Sequence, residues 1–89
     1  MECTIITPEE KLYAGNVTSV KVPGTSGQFQ ILKGHAPIVS SLDKGVVNVV
    51  DSSGNKHDFE ILRGFVEVLR DEVSVLVVVH EIDQEEEAA

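Results

Sequence analysis

Three histidines (His35, His57 and His80), a single cysteine (Cys3) and the carboxylate pair Asp58 and Glu60 are the residues of this 89-residue chain whose types could do chemistry. Catalysis needs a nucleophile or acid beside an activating partner, or two carboxylates in different environments. The histidines stand apart in sequence, with no His-x-x-x-His or Cys-x-x-Cys spacing that would hold zinc. Cys3 lies in an apolar stretch, where a small buried hydrophobe is the expected role. His57 follows a polar turn and is read as solvent-facing; His80 ends the last strand beside Glu81. Asp58 and Glu60 share a strand face, but any solvated strand face alternates in this way. No catalytic site, cofactor or metal is expected.

Two loops carry motif-like spacing. Gly24-Thr25-Ser26-Gly27 matches the bare GxxG of nucleic-acid clamps, yet that clamp joins helices and works beside basic residues. No Lys-Ser or Lys-Thr follows the second glycine, so it is not a phosphate loop either. A hairpin turn is the better reading. Gly34-His35-Ala36-Pro37 is a restrained turn, because Ala36 must be extended before a proline. Its side chains project in fixed directions, which suits either a histidine bonded to backbone groups or a recognition surface.

The elements that must position these residues are strands. Val, Ile and Thr fall in short runs separated by Gly, Pro, Asn, Asp and Ser, with no helical periodicity. Nine runs between Glu2 and Val79 read as strands, with 11–13 and 16–22 counted separately. "PGTSG", "DKG", "SSGN" and "RDE" are each short enough for an antiparallel hairpin. The fold expected is all-β, an antiparallel β-sandwich or flattened barrel of about 8–10 short strands.

Parity along the strands says more. In "KHDFEIL", Phe59 and Ile61 share one face while Asp58, Glu60 and Leu62 share the other, which turns Leu62 outward. In "GFVEVL" and "VSVLVVV" both faces are apolar: Val66 and Val68 oppose Phe65 and Leu69, and Val73, Val75 and Val77 oppose Leu76 and Val78. A small sandwich has one interior, so the second apolar face calls for a partner or for covering loops. The four aromatic residues, Tyr13, Phe29, Phe59 and Phe65, are mostly assigned to the core.

Composition narrows the function further. The net charge of −8 opposes binding to a phosphate backbone. Five of the fifteen acids lie from Glu81 onward, and without them the balance is ten acids against seven bases. Residues 1–80 are accordingly read as the domain and 81–89 as a solvated acidic tail. No apolar run approaches the roughly 20 residues of a membrane span, and Glu2 stands where a signal peptide would be basic. Membrane contact is expected only through a partner, without direct insertion.

In order and spacing, Ile6-Thr7-Pro8, Leu12-Tyr13-Ala14-Gly15, Val22-Pro23-Gly24, Gly27-Gln28-Phe29-Gln30-Ile31-Leu32, Gly34-His35-Ala36-Pro37 and Gly64-Phe65-Val66-Glu67-Val68 resemble the epsilon subunit of the F-type ATP synthase. The resemblance runs from about Ile5 to Leu76. It implies a non-catalytic β-sandwich of the central rotor stalk. Such a domain packs on the gamma subunit, rests on the c-subunit ring, couples proton translocation to ATP synthesis, and reaches the alpha/beta head indirectly. The implied gamma-facing residues are Thr7, His35, Ser40 and Leu62, and the implied ring-facing residue is Gln28. The implied location is peripheral, on the cytoplasmic face of the inner or plasma membrane.

Two departures stand out: Gln28 where the family often has an acid, and Arg63 where it often has glycine. Many members also continue into a C-terminal helical pair that restrains ATP hydrolysis. Its absence here fits either a short form or a truncated chain. The alternative to this resemblance is an independent small β-sandwich protein-binding module.

Overall fold

The computed structural model describes residues 1–80; the expected acidic tail, 81–89, lies outside the described residues. Branched side chains are at home on a pleated surface. Where they cluster, eight strands form: β1 (Glu2–Ile6), β2 (Lys11–Gly24), β3 (Gly27–Leu32), β4 (Ile38–Leu42), β5 (Gly45–Asp51), β6 (Lys56–Ile61), β7 (Arg63–Leu69) and β8 (Glu72–Val78). The all-β sandwich expectation is met.

The segments 11–13 and 16–22, expected as two strands, are one. Ala14 and Gly15 read as a break, but they pair with Thr4 and Cys3 of β1 and continue the ladder. β2 is the spine of the fold. Its first half pairs with β1, and its second half lies between β5 and β3. Near Thr18 the register against β5 shifts. The inward residues there change from Val17 to Val20 and Val22, as a bulge requires. The Thr18 hydroxyl donates to the Val50 carbonyl at 3.3 Å. A front layer of β4, β7, β8, β1 and the start of β2 thus faces a back layer of β3, the end of β2, β5 and β6.

Three of the four expected hairpins form: β2–β3, β5–β6 and β7–β8. The Asp43–Gly45 connection is not one of them. β4 pairs with β7 while β5 pairs with β2 and β6, so this link carries the chain from front layer to back. A short turn looks the same locally whether it closes a hairpin or changes sheets. Leu62 makes the return crossing from β6 to β7, and its N–H donates to Val78 at 2.7 Å.

The interior is built from valine. Of the fifteen fully buried apolar residues among those described, ten are valines, joined by Ile5, Ile31, Ile61, Leu42 and Cys3. The aromatic residues are not in that set. Tyr13, Phe29 and Phe59 sit half-buried against its edge, and Phe65 points outward. Two closely facing valine-lined sheets take rings at their open rims, where part of each ring stays wet.

Arg63, where the resemblance implied a glycine, opens β7 opposite Val78. Among the described residues only Arg70 has positive φ without being glycine (58°), so the backbone at Arg63 has no need of one. The constrained position is its neighbour Gly64. A Cβ there would strike the Leu76 carbonyl oxygen and stand 3.1 Å from Val77 Cα.

Candidate interaction surface

Alternation along a strand sends every second side chain out of the sandwich, and ladder register then decides which outward side chains meet. On the front layer the outward residues form two cross-strand rows, Ile6–Leu76–Phe65–Ser41 and Thr4–Ser74–Glu67–Val39. A third row runs Glu2–Glu72–Leu69. Val39 is 70% exposed, Phe65 56% and Leu76 45%, all large for apolar side chains. They line a shallow depression of about 530 Å³. A second depression of about 400 Å³, toward Leu42 and Val78, shares Phe65 and Leu76 with the first. The second apolar face expected from parity is therefore present and open to solvent.

Its counterpart on the back layer is mostly polar, with Leu32, 50% exposed at the end of β3, as the exception. Ser19, Lys21, Gln30, Lys56 and Asp58 face outward there, and Asn48 donates to Asp58 at 2.8 Å.

The site residues expected from sequence fall in different settings. Thr7 is buried, its Oγ1 accepting from the N–H groups of Glu9 and Glu10 at 3.2 and 3.0 Å and donating to the Glu10 carbonyl. It shapes the β1–β2 turn. Leu62, read as outward-facing, is half-buried because β6 ends at Ile61 and the chain turns into the other layer. Thr7 and Leu62 are both near Val78: Thr7 shares a crevice with Arg63 and Val78, and Leu62 bonds the Val78 carbonyl. Ser40 lies mid-strand opposite buried Val66. His35 lies beyond Ile38, at the end of the β4–β7 ladder away from Leu42 and Gly64. Its Nδ1 is 2.7 Å from the Ala36 carbonyl oxygen and its ring is 6.5 Å from that of Phe29. Gln28 is exposed on the β2–β3 hairpin. That hairpin is braced on the end of β4 by Thr25 N–H to Ser41 O (3.0 Å) and Asp43 N–H to Pro23 O (2.8 Å).

His57 corrects the sequence reading. It is half-buried, 5.0 Å from the Tyr13 ring, with Nε2 2.9 Å from Asp51 Oδ2. Parity held the signal, since His57 shares its face with Phe59 and Ile61. The other Asp51 oxygen accepts from Ser53 and Asn55 N–H groups, each at 2.9 Å. The His57 hydrogen bond, reinforced by these amides, holds the Asp51 carboxyl below its ordinary range. The pair ties the β5–β6 turn to the rim. Cys3 is the buried hydrophobe expected; burial, and then Glu2, push its thiol up to about 12, which leaves little reactive thiolate.

What this geometry offers is an exposed apolar face and a braced hairpin. Among the described residues no helix is long and apolar enough to cross a membrane. A family model described as "ATP synthase, Delta/Epsilon chain, beta-sandwich domain" matches residues 1–82. The chain belongs to the ATP synthase epsilon family. The ATP synthase epsilon chain of Chlorobium limicola is 45% identical over 64 residues, 72% of this chain and 73% of that one. That of Campylobacter jejuni is 42% identical over 72 residues, 81% of this chain but 56% of its own length.

Among solved structures, a chain of the Euglena gracilis mitochondrial ATP synthase (OSCP/F1/c-ring) aligns with a TM-score of 0.77 at 25% identity. It covers 97% of this chain and 57% of that one. A chain of the Tetrahymena thermophila mitochondrial ATP synthase central stalk and c-ring shares the fold, with a TM-score of 0.72 at 18% identity.

Proposed function

We propose that this domain is a non-catalytic coupling piece of the rotor, joining the gamma subunit to the c-ring so that proton-driven rotation reaches the catalytic head. The observation that carries the reading is the open apolar face of β4, β7, β8 and β1. A lone domain gains nothing by keeping Val39, Phe65 and Leu76 in water, whereas a permanently assembled subunit buries them. On this reading gamma covers that face. It reaches the Thr7 crevice and nearby Leu62 at one end and His35 toward the other, with Ser40 between them on β4, while the Gln28 hairpin, stiffened by its bonds to β4, rests on the ring.

The domain then sits peripherally on the cytoplasmic side of the membrane, held there by the complex. Size-exclusion chromatography with purified gamma tests this. The wild-type chain co-elutes, and Phe65→Asp, with an unchanged circular dichroism spectrum, elutes alone. A wild-type chain that fails to bind gamma overturns the proposal. A Leu62→Glu variant that binds like the wild type removes Leu62 from the contact but leaves the face in place.

A further inference from the structure

We infer that Glu67 sets the register of the docked front face, and that the partner segment covering it presents an arginine or lysine to its carboxylate. This rests on the reading of that face as the gamma contact. Glu67 stands on β7 in the middle row, between Ser74 of β8 and Val39 of β4. On one side the neighbouring row carries Ile6, Leu76 and Phe65; on the other, Leu69 follows two residues along β7. The carboxylate is thus placed among the most exposed apolar side chains of the molecule, at the centre of the surface a partner would cover.

Among the described residues no hydrogen bond or ion pair reaches the Glu67 carboxylate. Its row mates Thr4 and Ser74 are short, uncharged side chains. The other charges of the face lie outside its row: the next row pairs Glu2 with Glu72, acid beside acid, and exposed Lys11 of β2 extends the neighbouring row beyond Ile6. Arg63, on the same outward side of β7, lies four residues back at the start of the strand, beside the second depression.

A surface that is apolar around a central Glu67, with Glu72 and Glu2 beyond it and its bases Lys11 and Arg63 at the periphery, is complementary to an apolar segment bearing one positive charge at its middle. Covering Phe65 and Val39 strips water from Glu67, and a desolvated carboxylate without a counter-charge costs more than its apolar neighbours contribute. A cation on the partner removes that cost. It also penalises every docked register that leaves the cation elsewhere, so one charge selects one seating of an otherwise featureless face.

The test measures the affinity of the 89-residue chain for purified gamma by titration calorimetry at low and high salt. Glu67 is exposed in the free chain, so Glu67→Gln and Glu67→Lys keep the wild-type unfolding midpoint. Glu67→Gln is expected to weaken binding about 30-fold or more and to flatten its salt dependence; Glu67→Lys weakens it further. Phe65→Asp is the control for the underlying reading. If it abolishes binding while both Glu67 variants bind like the wild type, the charge assignment is overturned and the docking face stands. If none of the three changes the affinity, the docking face falls as well.

Discussion

The two outer faces of the sandwich come from strands of similar composition and cover the same valine core, yet they meet water differently. The front face carries Ile6, Val39, Phe65 and Leu76 together, whereas the back face carries Lys21, Gln30, Lys56 and the Asn48–Asp58 bond with a single exposed large apolar residue, Leu32. Interior packing cannot account for this, because both layers bury one alternate set of side chains equally well. Outward residues are released from the demands of the core, so what they are reports on what the face meets. The back face is finished as a surface. The front face leaves its largest apolar side chains in water.

The largest effect should come from placing one charge on each face. Val39→Asp is expected to lower the affinity for gamma about 100-fold or more, since it buries an unpaired carboxylate, while Gln30→Asp stays within about twofold. Equal losses measured by calorimetry would erase the distinction between the faces. Next is the spacing of the front sheet. Gly64→Ala drives a Cβ into the β8 backbone at Leu76 and should lower unfolding free energy by about 1–3 kcal/mol in urea titrations. In the back-layer hairpin, Gly54 meets no atoms but holds a φ of 89°, so Gly54→Ala should cost about 1–2 kcal/mol through backbone strain alone.

Smaller still is the acid response of the rim. Because Asp51 holds its proton less tightly when folded, its contribution is complete above about pH 4 and is lost as pH falls through its lowered folded value. The stability gap between wild type and Asp51→Asn should therefore be wider at pH 7 than at pH 2.5; a constant gap would remove ionisation from its role. The smallest effect is on the back face. Asp58→Ala breaks an exposed hydrogen bond to Asn48 and should shift stability by no more than about 0.5 kcal/mol.

Much of this contrast was legible in the sequence. The alternation in "GFVEVL" and "VSVLVVV" separated Val66, Val68, Val73 and Val75, all buried, from the exposed Phe65, Leu69 and Leu76. The same alternation held the signal for His57 facing Tyr13, but its polar neighbours obscured it. Val39 and Ile6 could not have been assigned to the face. Each is an ordinary outward hydrophobe in its own strand, and only the β4–β7 and β1–β8 ladders bring them beside Phe65 and Leu76. The continuity of β2 was hidden for a related reason, since Ala14-Gly15 has low strand propensity and is held extended by β1.

By itself, then, the sequence determined where strands form and which side chains in each share a face, because β-propensity and the two-residue period are local. It also determined the turn chemistry at Gly27, Gly34 and Gly54, where positive φ favours glycine. The tertiary structure alone decided that "DKG" and Leu62 cross between layers and that β2 bends at Thr18 to serve both sheets. It also decided that residues from four strands add up to one apolar face with Glu67 at its centre. Lateral pairing joins segments tens of residues apart, and no local pattern encodes which edge a strand will meet.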